Sequence, residues 1–206
     1  MSEIMYRRGK KEGIGVFYHK SGNKRWEGYY KDDAIDGELI QYAQDGNLKS
    51  KESFVNGVLD GKYEYYSVNG LLRQSGCIKT YKKDGEIKTY SENGNLILIE
   101  KFKNGKKHGK VKSYHQCKDS RSGRNNRIET YEDGKLHGEW IDYHLNNKER
   151  AKGNMLYGMM DGKWMFWYHN GQKECEVVCK DGKLVDGKVW DDDGNRKKSI
   201  RFNYQR

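Results

Sequence analysis

The residues best suited to chemistry in this chain are ten cations in one stretch: Lys101, Lys103, Lys106, Lys107, Lys110, Lys112, Lys118, Arg121, Arg124 and Arg127. Ammonium and guanidinium groups at that density make a field of one sign, which attracts acidic partners and speeds encounter. The density is local. Residues 1–60 carry ten Lys/Arg and ten Asp/Glu, and residues 129–206 carry fourteen of each. Residues 61–128 carry sixteen against six, so the whole net charge of +10 sits in the middle third. Lysines also keep an exposed sheet soluble and its edges unpaired; the asymmetry is what points beyond solubility to a contact surface. An acidic protein face is the first partner such a surface fits. Anionic membrane lipid is an alternative, because each Lys or Arg near such a headgroup layer contributes about 1 kcal/mol, although no amphipathic anchor or lipidation motif accompanies the cluster. Nucleic acid ranks below both. It needs exposed aromatics among the cations, and the aromatics here hold fixed positions that suit packing.

The remaining reactive side chains make no catalytic set, and no cofactor or metal is expected. His19, His115 and His144 share one spacing, and His108 and His137 another, but no Cys or carboxylate converges in sequence to complete a ligand shell. Column packing or turn hydrogen bonding accounts for them. Cys77, Cys117, Cys175 and Cys179 form no Cys-x-x-Cys pair. Cys175 and Cys179 lie on one face of a predicted strand, roughly 13 Å apart at about 3.3 Å per residue, beyond disulfide reach. Reduced thiols are therefore expected, and with them a cytoplasmic location, peripheral at a membrane in the lipid-binding alternative. Arg7, Arg8, Lys10 and Lys11 have no apolar run behind them, so no secretory signal is read. Asp191-Asp192-Asp193-Gly194 lacks the spacing and terminal Glu of a calcium loop and reads as a turn.

The elements that must position these groups follow from a repeat. Gly13, Gly37, Gly61, Gly85 and Gly109 are 24 residues apart, and Gly138, Gly162 and Gly187 continue the series at gaps of 29, 24 and 25. A fixed period of this kind marks a repeat architecture. Counted from each leading glycine, position two is mostly large and apolar (Leu39, Tyr63, Ile87, Val111, Trp140, Trp164). Position five is aromatic (Tyr18, Tyr42, Tyr66, Tyr90, Tyr114, Tyr143, Trp167), and position nine is Gly, with Asn147 once in its place. Leu48, Leu72 and Leu96 open a return segment that closes on Tyr30, Phe54, Ile78, Phe102, Tyr131 or Met155. Each unit is a β-hairpin. One hairpin is marginal in water, so the units must stack edge to edge. Positions two and four share a strand face, while position five joins them only if a bulge intervenes; spacing alone leaves both arrangements open. The composition agrees with order. Only 34% of residues are hydrophobic, but the 16 Tyr, 5 Trp and 5 Phe recur too regularly for a solvated coil.

The pattern Gly-x-aromatic-x-x-Tyr-x-x-x-Gly-x-Leu, closed by Tyr/Phe-x-x-Gly-x-x-Asp/His-Gly, resembles the MORN repeat, and most of all the bacterial variant found among YwqK-type antitoxins. The resemblance covers roughly residues 13 to 202. It implies an all-β fold, an elongated solenoid-like single antiparallel sheet of about eight hairpins, used for protein or membrane contacts and not as an enzyme. The toxin-neutralising role is implied by that resemblance alone. The array is expected over 13–194, in units starting near 13, 37, 61, 85, 109, 138, 162 and 187, with caps at 1–12 and 195–206. Three units depart from the pattern. The fifth carries about five extra residues within Cys117–Arg127, the third has Tyr81 where a turn glycine belongs, and the last is shortened before Gly194. The insertion lies in the basic stretch, and insertions in a regular scaffold carry specificity. Trp164-Met-Phe-Trp167-Tyr168 is the most apolar run and reads as a well-packed late unit.

Overall fold

A computed structural model describes residues 1–114 and 125–201 of the chain. The described residues form 19 strands and no helix, assigned to one open antiparallel sheet. They divide into two compact units: Met1–Leu96 with Phe102–Gly105, and Ile97–Lys101 with the described residues from Lys106 onward.

In the first unit the strands are β1 (Ser2–Arg7), β2 (Lys10–Tyr18), β3 (Lys24–Lys31), β4 (Ala34–Tyr42), β5 (Leu48–Val55), β6 (Val58–Tyr66), β7 (Leu72–Lys79), β8 (Lys82–Lys83) and β9 (Gly85–Tyr90). β10 (Leu96–Lys103) follows, its middle belonging to the second unit. That unit continues with β11 (Lys106–Lys107), β12 (Gly109–Tyr114), β13 (Asn125–Glu132), β14 (Lys135–Tyr143), β15 (Glu149–Leu156), β16 (Met159–Trp167), β17 (Lys173–Lys180), β18 (Lys183–Trp190) and β19 (Arg196–Arg201). Within the first unit each strand from β1 to β7 pairs with the next, and β7 pairs with both β8 and β9. Within the second, β10 pairs with β12 and the ladder continues strand by strand to β19.

Two kinds of turn alternate. The turn at position nine closes a four-residue loop, as where Ala43 N–H donates to Asn47 O at 2.8 Å and Gly46 N–H to Ala43 O at 3.0 Å. Asn147 takes the glycine's place there at φ 65°. The other turn has two central residues at positive φ, such as Asn56 (50°) and Gly57 (78°), the type I′ geometry that matches strand twist. Thr80 and Tyr81 adopt it at 48° and 63° with no glycine at all. Side chains also tie each loop to the next: Asn23 Nδ2 donates to Gln44 O, Asn47 Nδ2 to Val68 O, Asn146 Nδ2 to His169 O and Asn170 Nδ2 to Asp192 O.

The register settles the parity that spacing left open. The pairing shifts between positions four and five, at Phe17/Tyr18, Gln41/Tyr42, Tyr65/Tyr66, Ser113/Tyr114, Asp142/Tyr143 and Phe166/Trp167. The bulges lie in the return strands, where Lys49 and Arg150 lack a ladder partner, so position five keeps its own strand's alternation on the face opposite positions two and four: the Tyr42 hydroxyl donates to Glu27, which pairs with Ile40 at position three. A second shift falls opposite the leading glycine, as between Gly28 and Tyr30 across from Gly37. In β4 that glycine lies inside the strand, not at its start as the hairpin reading placed it, because its φ of 124° bends the chain without ending the ladder.

Burial identifies the packed face. Position two is deepest, with Leu39, Tyr63, Ile87, Val111 and Trp164 all buried, whereas the aromatics at position five are only half-buried. Opposite the deep residues, nine positions before the next leading glycine, stand Gly28, Glu52, Gly76, Glu100, Glu129 and Gly153. The glycines are seats for rings. A Cβ on Gly76 would meet Ile87 Cδ1 at 2.5 Å and Tyr63 Oη at 2.8 Å, and one on Gly153 would meet Trp164 Cδ2 at 2.1 Å. The glutamates instead hold polar groups: Glu52 accepts from the Tyr65 hydroxyl at 2.8 Å and Gln41 Nε2 at 3.0 Å. Leu39 and Tyr63 each pair with one Gly and one Glu from this column.

Candidate functional site

Carboxylates on neighbouring strands sort the basic residues of the second unit into two environments. Lys112 pairs across the ladder with Ile99, and Lys101 lies two residues beyond Ile99, so both project from the same face. Both are exposed, and neither has a carboxylate within ion-pair distance among the described residues. Lys106 is likewise exposed at the turn before β12. Lys103, exposed, belongs to the first unit. The others are engaged. Lys107 Nζ is 2.8 Å from Glu100 and lies over the Tyr131 ring, 5.2 Å from its centre. Lys110 Nζ is 2.8 Å from Glu139, a contact that raises the lysine's pKa and lowers that of Glu139. Lys118, Arg121 and Arg124, like Cys117 and His115, lie outside the described residues.

Arg127 does more than add charge. It stands directly opposite Asp142, its Nε donating to Oδ1 at 3.1 Å, and its guanidinium sits 5.0 Å from the Trp140 ring centre. Arg150 approaches from the other side, where the bulge after Asp142 leaves it without a ladder partner, and binds Oδ2 through Nε and Nη2. The Asp142 side chain is 2% exposed, while Arg127 and Arg150 are 40% and 55% exposed. A buried carboxylate requires pairing of this kind, since removing charge from water costs several kcal/mol per ion. Asn126, Tyr143, His144 and Leu145 complete a cleft of about 250 Å³ around the cluster.

Sequence reasoning found Arg127 through charge density and missed Asp142 and Arg150. The available signal was Asp142 at position four, where other units carry Phe17, Gln41, Tyr65, Thr89, Ser113 or Phe166. His19 and His144 serve the turns, with His19 Nε2 3.1 Å from Tyr42 O and His144 Nε2 2.8 Å from Trp167 O, whereas His108 lies 3.7 Å from Asp133 and His137 packs on Tyr157. Cys77, Cys175 and Cys179 are free thiols, the last two pushed up in pKa by burial. Asp191 forms a turn, its Oδ1 accepting from Asn195 N–H at 2.7 Å. Trp164 is buried and 5.3 Å from Trp140, so the most apolar run does pack.

The hairpins can now be compared with known ones. Residues 35–56 and 83–104 match the MORN repeat variant. These two MORN stretches start 48 residues apart, two units, and contain the glutamates Glu52 and Glu100 of the Gly/Glu column. No curated protein matches the chain. Among solved structures, a chain of the TcdB2-TccC3-Cdc42 crystal structure aligns with 96% of this chain at 13% identity and a TM-score of 0.28. A chain of the TcdB2-TccC3 structure aligns with 89% at 9% identity and a TM-score of 0.26. The alignments span 12% of each of those chains.

Proposed function

We propose that the chain is a non-catalytic protein-interaction scaffold whose MORN-type hairpins present Lys101, Lys106 and Lys112 to an acidic protein. One observation carries this reading: among the described residues Lys101 and Lys112 project from one face without a neutralising carboxylate, although Lys110, Lys152 and Lys163 on the same unit have one. Unbalanced cations on a stiff sheet cost nothing to reorganise when an acidic face docks, and they accelerate its approach. The narrower form, suggested by likeness to the YwqK-type variant, is an antitoxin that neutralises a cognate toxin.

The test is a growth-rescue assay. Co-expression with the protein encoded beside it should relieve that protein's toxicity, and Lys101→Glu with Lys112→Glu should abolish relief while leaving the melting transition in place. Rescue untouched by the double reversal removes these lysines from the account. Flotation with vesicles of acidic and neutral lipid distinguishes the membrane alternative, because headgroup binding would carry the protein up with acidic vesicles only and weaken with salt.

A further inference from the structure

We infer that the cleft formed by Arg127, Arg150 and Asp142 is a binding site for a single carboxylate group. The argument rests on how Asp142 is spent. Its two oxygens are both engaged, Oδ1 by Arg127 and Oδ2 by Arg150, and its side chain is 2% exposed. Asp142 therefore orients the two guanidiniums without itself facing solvent. Each guanidinium carries five N–H donors in a rigid fork, and one carboxylate cannot consume both forks. Among the described residues lining the cleft, Arg127 and Arg150 carry two positive charges and Asp142 the one negative. Glu129, 3.6 Å from Arg127 Nη1, accepts from the Tyr131 hydroxyl at 3.0 Å and does not line the cleft. With Glu129 counted the cluster is neutral, and what it leaves for a carboxylate is unspent N–H donors, chiefly on Arg150.

The surroundings fit the same ligand. Arg127 is braced against Trp140, so its fork is ordered before any ligand arrives. Asn126 and Tyr143 line it beside the arginines. His144 is held by Trp167 O through Nε2, which fixes its ring against the opening. The cleft's volume suits a side-chain or terminal carboxylate and not a large cofactor. This deepens the proposed docking of an acidic protein by naming the group that would be gripped, and rests on that reading only for the biological source of the carboxylate.

The test needs no partner. Three short peptides would be titrated into the full chain while the Nε–Hε NMR signals of Arg127 and Arg150 are followed: one blocked at both ends with a central Glu, one blocked at both ends with Gln in its place, and one blocked only at its N-terminus, with neutral side chains and a free C-terminal carboxylate. Saturable shifts with the Glu peptide or the free C-terminus, and none with the Gln peptide, are expected; the tighter of the two identifies the source. Arg150→Gln should weaken binding about tenfold to hundredfold, the range expected for a charge-assisted hydrogen-bonded pair. Arg150→Lys, which keeps an ion pair to Asp142 but loses the fork, should weaken it about tenfold if Arg150→Gln does not fold. Shifts that never saturate, equal affinity in Arg150→Lys, or inorganic phosphate binding tenfold tighter than either carboxylate would overturn the assignment. A flat titration removes the cleft and leaves the Lys101 and Lys112 reading standing; lost rescue in the lysine variants alone does the reverse.

Discussion

Gly153→Ala is the sharpest test of how the sheet is packed. Gly153 has no positive φ to protect, so a methyl group there meets only a steric problem. Its Cβ would stand 2.1, 2.3 and 2.6 Å from three atoms of the Trp164 indole, far inside contact distance. Backbone movement is limited because β15 is bonded on both edges, to β14 and β16. The ring must lift instead. Trp164 is 2% exposed and its Nε1 donates to Asn154 O at 3.1 Å, so lifting it strains that bond and the packing on Trp140. Overpacking a core costs about 1–3 kcal/mol. Full loss of Trp burial sets the ceiling, about 4–6 kcal/mol for about 150–250 Å² at about 25 cal/mol/Å². A loss of about 2–4 kcal/mol is expected from those bounds, read as a lower urea midpoint in the tryptophan fluorescence transition. The double-mutant cycle is the control: with alanine at 153, Trp164→Ala should cost much less than the about 3–5 kcal/mol expected alone. A Gly153→Ala protein within about 0.5 kcal/mol of the parent, or an additive cycle, would refute the seating of the indole on that glycine.

Three further outcomes follow from the same contacts. Thr80→Asn combined with Tyr81→Gly should stabilise the protein by about 1–2 kcal/mol, because two residues at positive φ are replaced by types that reach it at low cost; a lower urea midpoint would end the strain assignment. Asp142→Ala should destabilise by about 1.5–3 kcal/mol, the loss of hydrogen bonds to charged groups, because the arginines it frees are half exposed and can be solvated; thermal melting at low and high salt would register it. Tyr42, Tyr65, Tyr66 and Tyr131 have phenol pKa values raised to about 12, by the Glu27 hydrogen bond at Tyr42 and by burial with Glu52, Glu64 and Glu129 at the others. A raised folded-state value means the stabilisation is complete below the ordinary value of 10 and is lost as the pH climbs towards 12. Phenolate absorbance should therefore show these rings ionising late, together with unfolding; full titration near pH 10 with the fold intact would contradict it.

The fold was legible because hairpin chemistry is local. Gly46, Gly70 and Gly94 sit where a loop demands positive φ, and Asn147 substitutes because Asn reaches that conformation at low cost. Position two was visible as large and apolar and is the buried column. The glycine seats were harder to read, since Gly28, Gly76 and Gly153 share their column with Glu and their role depends on a neighbour on another strand. Asp142 was invisible for a similar reason. Its two partners come from the flanking strands, 15 positions earlier and 8 later, and no local spacing announces that convergence. Charge density found Lys101 and Lys112 but could not separate them from Lys107 and Lys110, because neutralisation by Glu100 and Glu139 exists only across the ladder.

The mixture of Gly and Glu in this column has a consequence for mispairing. Chains built from near-identical hairpins are prone to exchange one for another, within a molecule or between copies. Tyr63 stands between Glu52 and Gly76, and only the glycine leaves room for its ring. A slip that set a carboxylate where Gly76 stands would crowd that ring, so the order of seats along the column works as a key that penalises displaced registers in a repetitive chain.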